Sequence, residues 1–337
     1  MISASTDEDW ELANEALKNY DTPPSAKVEL LNVSENKTYK ISFDNEPKFV
    51  IRLHREGYHS RAEIQSELTW IQSIHGSNTV SVPLPILNRK DELITTIQTP
   101  SSNHRRFAVA FNFVEGVELE EDDSADHFET LGSIAAQLHN QVIAWEPPRG
   151  FRRFSWRLKD AFGANPRWGA WSKGVDKEKY PYLKEAVDNV SRDLHRYGVS
   201  SKVFGLVHAD MRLSNVIWVK ESYSPTLIDF DDCGYSWYLY DLATAISFFE
   251  HKDIVPELIG RWIVGYERIR KLDNADKEAI WPLVLFRRFL LLGWMQTHPE
   301  VEICKRLQGE YLDGTLHLAI RYLEHKLPSF SRSVRYP

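Results

Sequence analysis

The sequence predicts an α+β fold of two lobes, a small antiparallel β lobe carrying one helix and a larger α-rich lobe. Strand-like segments fill residues 28–114, whereas apolar residues recur at helical spacing after Gly116. The length of 337 residues exceeds that of a typical single domain, so each lobe can bury its own core. We therefore expect a first lobe at residues 1–115 and a second lobe at residues 116–337.

The first lobe opens on an amphipathic helix over residues 10–20, and a DTPP break ends this helix. Three antiparallel strands are then predicted from VELLNV, TYKISF and FVIRL, between Val28 and Leu53. Ser60 is placed to cap a helix directly after the third strand. Two further strands are predicted from ELITTIQ, which begins at Glu92, and from RFAVAFNFV, which begins at Arg106.

Helical periodicity runs through the second lobe. It is clearest around Leu131–Leu138, Leu183–Leu194 and Ile280–Met295. Between the first two of these segments lies Trp145–Trp171, which mixes four tryptophans with arginines and prolines. This segment is interpreted either as amphipathic packing on the helical lobe or as an aromatic and cationic acceptor site, and packing is favoured.

The charge and the cysteine content exclude several classes of function. A net charge of −7 argues against broad nucleic-acid binding, which requires a basic surface. Cys233 and Cys304 form no CxxC pair, so neither a disulfide framework nor a zinc site is indicated. The apolar stretch 279–295 contains Arg287 and Arg288, which favours a buried helix over a membrane span. Because the N-terminus also lacks a signal-peptide pattern, we expect a cytoplasmic protein without membrane or nucleic-acid partners.

Polar side chains inside otherwise apolar runs mark the candidate chemistry. His208, Asp210 and Asn215 fall in VFGLVHADMRLSNVIWV, and Asp229 follows in TLIDFDDCG. The apolar flanks indicate that these groups lie at strand ends or in tight loops over a core. Phosphoryl transfer needs a group that accepts a hydroxyl proton, together with oxygen ligands for Mg²⁺. One carboxylate and one amide oxygen suffice because Mg²⁺ keeps several waters, and Asp229 and Asn215 fit that requirement.

These residues resemble the aminoglycoside phosphotransferase and choline kinase family, which has a protein-kinase-like fold. His208, Asp210 and Asn215 reproduce the H-x-D-x-x-x-x-N catalytic loop, and IDFDD resembles the metal-binding strand end of the family. The resemblance implies Asp210 as catalytic base, Asn215 and Asp229 as Mg²⁺ ligands, and ATP as phosphoryl donor. It also implies structural roles for His208 and for Asp241, which braces the catalytic loop.

The same resemblance assigns nucleotide-binding residues in the first lobe. Arg52 on the third strand stands where the family has lysine. Glu67 on the following helix is its expected ion-pair partner, with Glu63 as the second candidate. A planar guanidinium differs from a point charge but still binds phosphate oxygens well. The remaining residues of the expected ATP site are Ser34, Asn36 and Thr38 in the first loop and Phe113 and Val114 at the link between the lobes.

The leading prediction is an ATP- and Mg²⁺-dependent phosphotransferase that acts on a hydroxyl of a small molecule such as an amino alcohol, a sugar or an aminoglycoside. Asp231 and Asp232 are expected to face this acceptor or a second metal ion. A serine/threonine protein kinase is the main alternative, because the stress-response kinase and homoserine kinase-like proteins share this branch of the family. Arg52 in place of lysine keeps open a nucleotide-binding pseudokinase. The sequence carries no signal for an oligomeric state.

Overall fold

The structure is a computed structural model that describes residues 7–33, 36–98, 105–119, 125–219 and 225–330. The chain divides into two compact units, each assembled from separate segments. The first unit comprises residues 1–117, 147–153 and 217–231, and the second comprises residues 118–146, 154–216 and 232–337. Two short segments from the later part of the chain therefore belong to the same unit as the N-terminal strands.

The helices and strands follow in chain order. The N-terminal part holds α1 (Asp7–Leu17), β1 (Lys27–Val33), β2 (Lys37–Phe43), β3 (Glu46–Leu53), α2 (Arg61–Gly76), β4 (Pro85–Ile86), β5 (Thr95–Gln98) and β6 (Arg105–Asn112). The middle part holds β7 (Val117–Glu118), α3 (Ala125–Ala144), α4 (Leu158–Phe162), α5 (Tyr180–Tyr197), β8 (Phe204–Val207), β9 (Val216–Trp218), β10 (Pro225–Leu227) and β11 (Gly234–Trp237). The C-terminal part holds α6 (Tyr240–Ala245), α7 (Val255–Glu267), α8 (Asn274–Glu278), α9 (Ile280–Thr297) and α10 (Glu302–Leu323).

An antiparallel sheet forms the body of the first unit. Its strands lie in the order β1-β2-β3-β6-β4, and β5 pairs with the first half of β6. The β2–β3 hairpin turns at Asp44 and Asn45, whose φ values of 56° and 63° suit a two-residue type I′ turn. One face of the sheet is covered by apolar side chains of α1, among them Leu12, Ala16 and Leu17. A smaller sheet has three strands in the order β10-β9-β7, and Asp229 follows the end of β10 by two residues.

Close packing of helices organises the second unit. α3 and α7 lie against each other at Gly132 and Gly265. A Cβ added at Gly132 would lie 2.0 Å from the carbonyl oxygen of Trp262, and one added at Gly265 would lie 1.8 Å from that of Glu129. Only glycine permits this approach of the two backbones. α9 is buried along nearly its whole length and packs against α5, α6 and α10, while β8 pairs with β11.

The structure confirms the predicted α+β class, with an antiparallel N-terminal sheet and a helical C-terminal region. The first three strands and the helix after Ser60 lie where the sequence predicts them, and the opening helix lies at Asp7–Leu17, three residues before its predicted range. The two-residue strands β4 and β7 escape prediction because so few residues show no periodicity. α9 is the predicted buried helix, and none of the helices in the described part of the chain has both the length and the apolar character of a membrane span.

Candidate active site

The loop that follows β8 is held in place by two side chains of α6, Asp241 and Thr244. Asp241, in the first turn of α6, accepts hydrogen bonds from the backbone N–H groups of His208 at 3.2 Å and Ala209 at 2.7 Å. The Thr244 hydroxyl accepts a third bond, from the Met211 N–H at 2.9 Å. Ala209 has a φ of 67°, a conformation that residues other than glycine adopt only when surrounding contacts impose it. These bonds from α6 therefore fix the backbone that carries Asp210.

Asp241 is supported in turn by a buried histidine. His139 lies between Asp241 and Tyr266, with Nε2 3.0 Å from the Asp241 carboxylate and Nδ1 2.9 Å from the Tyr266 hydroxyl. Burial lowers the pKa of His139, which keeps the ring neutral. A neutral ring donates from Nε2 to the carboxylate and accepts at Nδ1 from the hydroxyl. Asp241 therefore has three donors around it in the interior of the second unit.

Both carboxylate oxygens of Asp210 have defined partners. Asn215 Nδ2 donates to Oδ2 at 2.7 Å and also to the Asp210 carbonyl oxygen at 2.8 Å. Arg287 Nη2 donates to Oδ1 at 2.9 Å, and Arg212 Nε lies 3.3 Å from the same oxygen. Burial alone would raise the pKa of Asp210, but the Arg212 and Arg287 guanidinium groups outweigh it and the pKa lies below its usual value. The carboxylate is therefore ionised and can only accept hydrogen bonds, as a group that binds a substrate hydroxyl must.

Asn215 has the properties of a magnesium ligand. Asn215 is the last residue of a short 3-10 turn, Leu213–Asn215, and it is buried. The two bonds from Nδ2 to Asp210 assign the orientation of the amide, with Oδ1 on the other side. An amide oxygen is a hard ligand of the kind that Mg²⁺ prefers. The residues of this loop thus fit one position in the coordination of a divalent cation.

Asp229 lies in the first unit, two residues beyond the end of β10. Its φ of 59° is unusual for a residue with a side chain, and its side chain is 33% exposed. Arg52 Nη1 lies 3.3 Å from Asp229 Oδ1, and Arg52 Nη2 pairs with Glu67, which is fully buried. The Arg52 guanidinium also lies over the Phe111 ring, 5.0 Å from its centroid. One planar cation therefore joins the carboxylate of α2 to the carboxylate expected to bind metal.

The second candidate for that ion pair, Glu63, has another role. Its side chain accepts from the Ser60 N–H at 2.8 Å, and the Ser60 hydroxyl accepts from the Glu63 N–H at 3.3 Å. This reciprocal pair is a capping box at the start of α2. The Glu63 side chain is therefore engaged at the start of α2, whereas Glu67, four residues later, pairs with Arg52.

Asp231 lies in a buried cluster of cationic and imidazole side chains in the first unit. Its Oδ2 is 3.2 Å from His59 Nε2, and its Oδ1 is 3.6 Å from His54 Nδ1 and 3.9 Å from Arg52 Nη1. Burial would raise the pKa of Asp231, but His59 and Arg52 lower it below its usual value. Arg153 donates to the Asp231 carbonyl oxygen and, at 3.1 Å, to that of Glu63. Asp231 therefore acts as a counter-ion inside the unit, with a side chain only 7% exposed.

Asp232, the next residue, belongs to the second unit. Its carbonyl oxygen accepts from the indole N–H of Trp156 at 2.9 Å. Its negative charge contributes to the raised pKa values of Tyr240 and Arg287, and Arg287 is the partner of Asp210. The two adjacent aspartates, predicted together, thus have different surroundings.

Among the residues described, no three His, Cys, Asp or Glu side chains are arranged as a metal site, but Mg²⁺ needs fewer protein ligands than three.

The remaining residues predicted to bind nucleotide are in the first unit, and Ser34 lies outside the described residues. Asn36 is buried and its Oδ1 accepts from the Arg55 N–H at 3.0 Å, so it stabilises the loop between β3 and α2. Thr38 on β2 lies directly opposite Arg52 on β3. Phe113 and Val114 follow β6 and are half-buried, and the Phe113 N–H donates to the Lys48 carbonyl oxygen at 3.4 Å.

Comparison with known proteins agrees with these observations. Residues 28–279 match the phosphotransferase enzyme family, designated APH. The chain belongs to this family. A solved structure of the microcompartment-associated aminopropanol kinase is 37% identical, covers 94% of this chain and 98% of that chain, and superposes with a TM-score of 0.87. The amicoumacin kinase of Bacillus subtilis is 24% identical over 301 residues, which are 86% of this chain and 85% of that protein.

A third similar protein is the amicoumacin kinase hAmiN, solved in complex with AMP-PNP, Ca²⁺ and Ami. It is 20% identical, its TM-score is 0.74, and the match covers 96% of this chain and 95% of that chain. At this identity the likeness concerns the fold. Together the comparisons confirm the predicted family, the protein-kinase-like fold and the predicted enzyme class. The chain is a phosphotransferase that acts on a hydroxyl of a small molecule.

Sequence reasoning missed two groups of side chains in this phosphotransferase. Arg287 appears in the sequence only as an interruption of an apolar stretch, yet it bonds to Asp210. A charged residue inside an otherwise apolar helix is the signal that could have identified it, because a buried charge needs a partner. His54 and His59 beside Asp231 carried no such signal. In the tryptophan segment, Trp156, Trp168 and Trp171 are buried, which agrees with the packing interpretation.

Proposed function

We propose that this phosphotransferase moves the γ-phosphate of ATP, bound with Mg²⁺, to the hydroxyl of a small amino alcohol. The observation that carries the proposal is the oriented, ionised carboxylate of Asp210. Its two oxygens are bonded to Asn215 and Arg287, and its backbone is fixed through Asp241. A carboxylate held in this way suits a group that accepts the proton of an attacking hydroxyl.

The residues proposed to bind ATP and Mg²⁺ have separate roles. Arg52, braced by Glu67, would bind phosphate oxygens, since its guanidinium presents several donors in a planar fork. Asn215 and Asp229 would supply the amide and carboxylate oxygens that hold Mg²⁺, and the ion would neutralise charge on the transferred phosphoryl group. The complex of hAmiN with AMP-PNP and Ca²⁺, an ATP analogue and a divalent cation, supports this assignment. Thr38, Phe113 and Val114 remain proposed contacts of the nucleotide.

The acceptor class rests on similarity and on charge. The aminopropanol kinase is 37% identical over 94% of this chain, and its name gives an amino alcohol as substrate. An ammonium group needs an acidic or aromatic neighbour. We assign that role to Asp232, whose negative charge contributes to the raised pKa of Arg287, the partner of Asp210. Asp231 is not assigned to the acceptor, because it is occupied within its buried cluster.

The compartment and the partners are inferred more broadly. ATP as donor supports a cytoplasmic location, and so do Cys233 and Cys304, which are buried and form no CxxC pair. The net charge of −7 supports a small-molecule partner in preference to nucleic acid.

The experiment that tests this function is a transfer assay with labelled ATP and Mg²⁺. The acceptors are 1-amino-2-propanol, ethanolamine, homoserine, a sugar, an aminoglycoside and a casein-type protein. We expect label in the amino alcohols, and Asp210→Ala should lose about 100-fold or more of kcat, the scale of general base catalysis. Asp232→Asn serves as the matched change, and it should raise the KM of the cationic acceptors while transfer to the sugar is unaffected.

Two results would contradict the proposal in different ways. Label found only in protein bands would make the enzyme a protein kinase. Nucleotide binding without transfer to any acceptor, and with equal ATP turnover in wild type and Asp210→Ala, would indicate a pseudokinase.

A further inference from the structure

Arg287 is a buried charge in an apolar helix. It lies in the middle of α9, where nearly all neighbouring side chains are buried and hydrophobic, and only 3% of its own side chain is exposed. Placing a cation there is costly unless it is paired and hydrogen-bonded. Each of the three guanidinium nitrogens donates a hydrogen bond: Nε to the Ser247 hydroxyl at 3.1 Å, Nη1 to the Tyr240 hydroxyl at 3.2 Å, and Nη2 to Asp210 at 2.9 Å.

The bonds to Tyr240 and Ser247 hold the Arg287 guanidinium in place independently of Asp210. Tyr240 and Ser247 come from α6 and the segment after it, the same region that fixes the backbone of the Asp210 loop through Asp241. Burial raises the pKa of Tyr240 to about 12, so its hydroxyl stays protonated. The guanidinium also lies over the Trp168 ring, 5.1 Å from the centroid. The fork that faces Asp210 is therefore held on several sides.

The next residue of α9 offers an internal comparison. Arg288 is also fully buried, but it pairs with Glu250 and donates to Thr315 and to the Tyr311 carbonyl oxygen. None of these partners bonds to Asp210 in the described part of the structure. The helix thus carries two adjacent buried arginines. Arg288 forms an internal ion pair with Glu250, and Arg287 bonds to Asp210, the carboxylate proposed to accept from the acceptor hydroxyl.

We propose that Arg287 is a positioning residue for phosphoryl transfer, which sets the direction of the Asp210 carboxylate through Oδ1 while Asn215 sets it through Oδ2. This inference rests on the proposed role of Asp210. With one oxygen held from α9 and the other from its own loop, the carboxylate cannot rotate away from its place. Small displacements of a reacting group are expensive, and a shift of about 1 Å can cost about 100-fold in rate.

Arg287→Lys and Arg288→Lys form the matched pair that tests the proposal. Lysine keeps the charge but cannot donate from three fixed positions. We expect Arg287→Lys to lower kcat about 10- to 100-fold while the acceptor KM stays within about threefold, since orientation and not binding is lost. Arg288→Lys should lower thermal stability yet keep kcat close to that of wild type. Equal kcat values for the two variants, or a loss confined to KM, would overturn the proposal.

A stability cycle tests the pairing independently of any acceptor. The Tm values of Arg287→Met, Asp210→Asn and the double variant are compared with wild type. We expect the double variant to lose less than the sum of the two single losses, because each single change leaves a buried partner unmatched. Additive losses would overturn the pairing. If the wild-type enzyme phosphorylates no amino alcohol, the proposed function fails, and the kinetic comparison is then made with the acceptor of highest turnover, water included.

Discussion

Arg52 on β3 and Glu67 on α2 form an ion pair in the interior of the first unit, with 7% and 0% of their side chains exposed. The same guanidinium reaches Asp229 with its other terminal nitrogen, at 3.3 Å. A lysine at this position would carry a single ammonium, which cannot occupy both nitrogen positions. Arginine therefore adds a direct link between α2 and Asp229, which the sequence alone did not indicate.

Arg52→Lys should lose one of these two charge-assisted bonds. Such a bond contributes about 1.5–3 kcal/mol, which corresponds to about a 10- to 100-fold lower kcat/KM for ATP. Steady-state kinetics with varied ATP at saturating Mg²⁺ measure the change. Glu63→Ala is the control on the same helix, since it should cost about 1 kcal/mol of stability through the lost cap and leave kcat/KM unchanged. A fully active Arg52→Lys enzyme would show that the link to Asp229 has no role in ATP use.

Asp241→Asn should weaken catalysis without touching the substrates. Asparagine has one acceptor oxygen and one NH₂ group. If the NH₂ group replaces Asp241 Oδ2, it cannot accept from the His208 N–H or from His139 Nε2. We expect kcat to fall at least about tenfold as the Asp210 loop shifts, and stability to fall by about 1–3 kcal/mol from unsatisfied buried donors. Kinetics and urea unfolding give the two values. The exposed Asp188→Asn on α5 should change neither.

How much of this could be predicted from the sequence depends on how far apart the partners lie. Ser60 as the cap of the helix after the third strand is a local pattern, and the structure confirms it, although the part that Glu63 has in this cap was not predicted. The spacing from His208 to Asn215 is also local, and the structure places Asn215 Nδ2 2.7 Å from Asp210 Oδ2. The two-residue strand β4 shows no pattern at all.

Long-range pairs are the other part that the sequence does not predict. Arg287 bonds to a residue 77 positions earlier in the chain, and His59 lies far from Asp231 in the sequence although the two side chains are 3.2 Å apart. Neither pair has a sequence periodicity, because each is produced by tertiary packing. The sequence showed that a charge lay within α9, but only the fold shows which carboxylate it meets.

The stability of the protein should fall on mild acidification because of its buried neutral histidines. Burial lowers the pKa values of His139 and His54 below 6.5, so below about pH 6.5 the unfolded chain binds protons that the folded chain does not. Each such group contributes a loss of up to about 1.4 kcal/mol per pH unit. His139→Gln should therefore reduce the difference in unfolding free energy between pH 7 and pH 5.5 by about 1 kcal/mol.

Urea unfolding at the two pH values measures this effect. His195→Gln, at an exposed position of α5, is the matched control for the loss of one histidine. An unchanged dependence in His139→Gln would mean that His139 takes up its proton equally in both states.

Gly265→Ala should disrupt the contact between α3 and α7. The added Cβ would lie 1.8 Å from the Glu129 carbonyl oxygen, so the two helices would have to move apart along their interface. We expect a loss of at least about 2 kcal/mol in unfolding free energy, within the range for overpacked cores. Gly309→Ala in α10 is the same chemical change in open space, where the added Cβ meets nothing within 4 Å. Because alanine favours the helix, that variant should gain about 0.5–1 kcal/mol, and thermal or urea unfolding of the pair separates close packing from helix propensity.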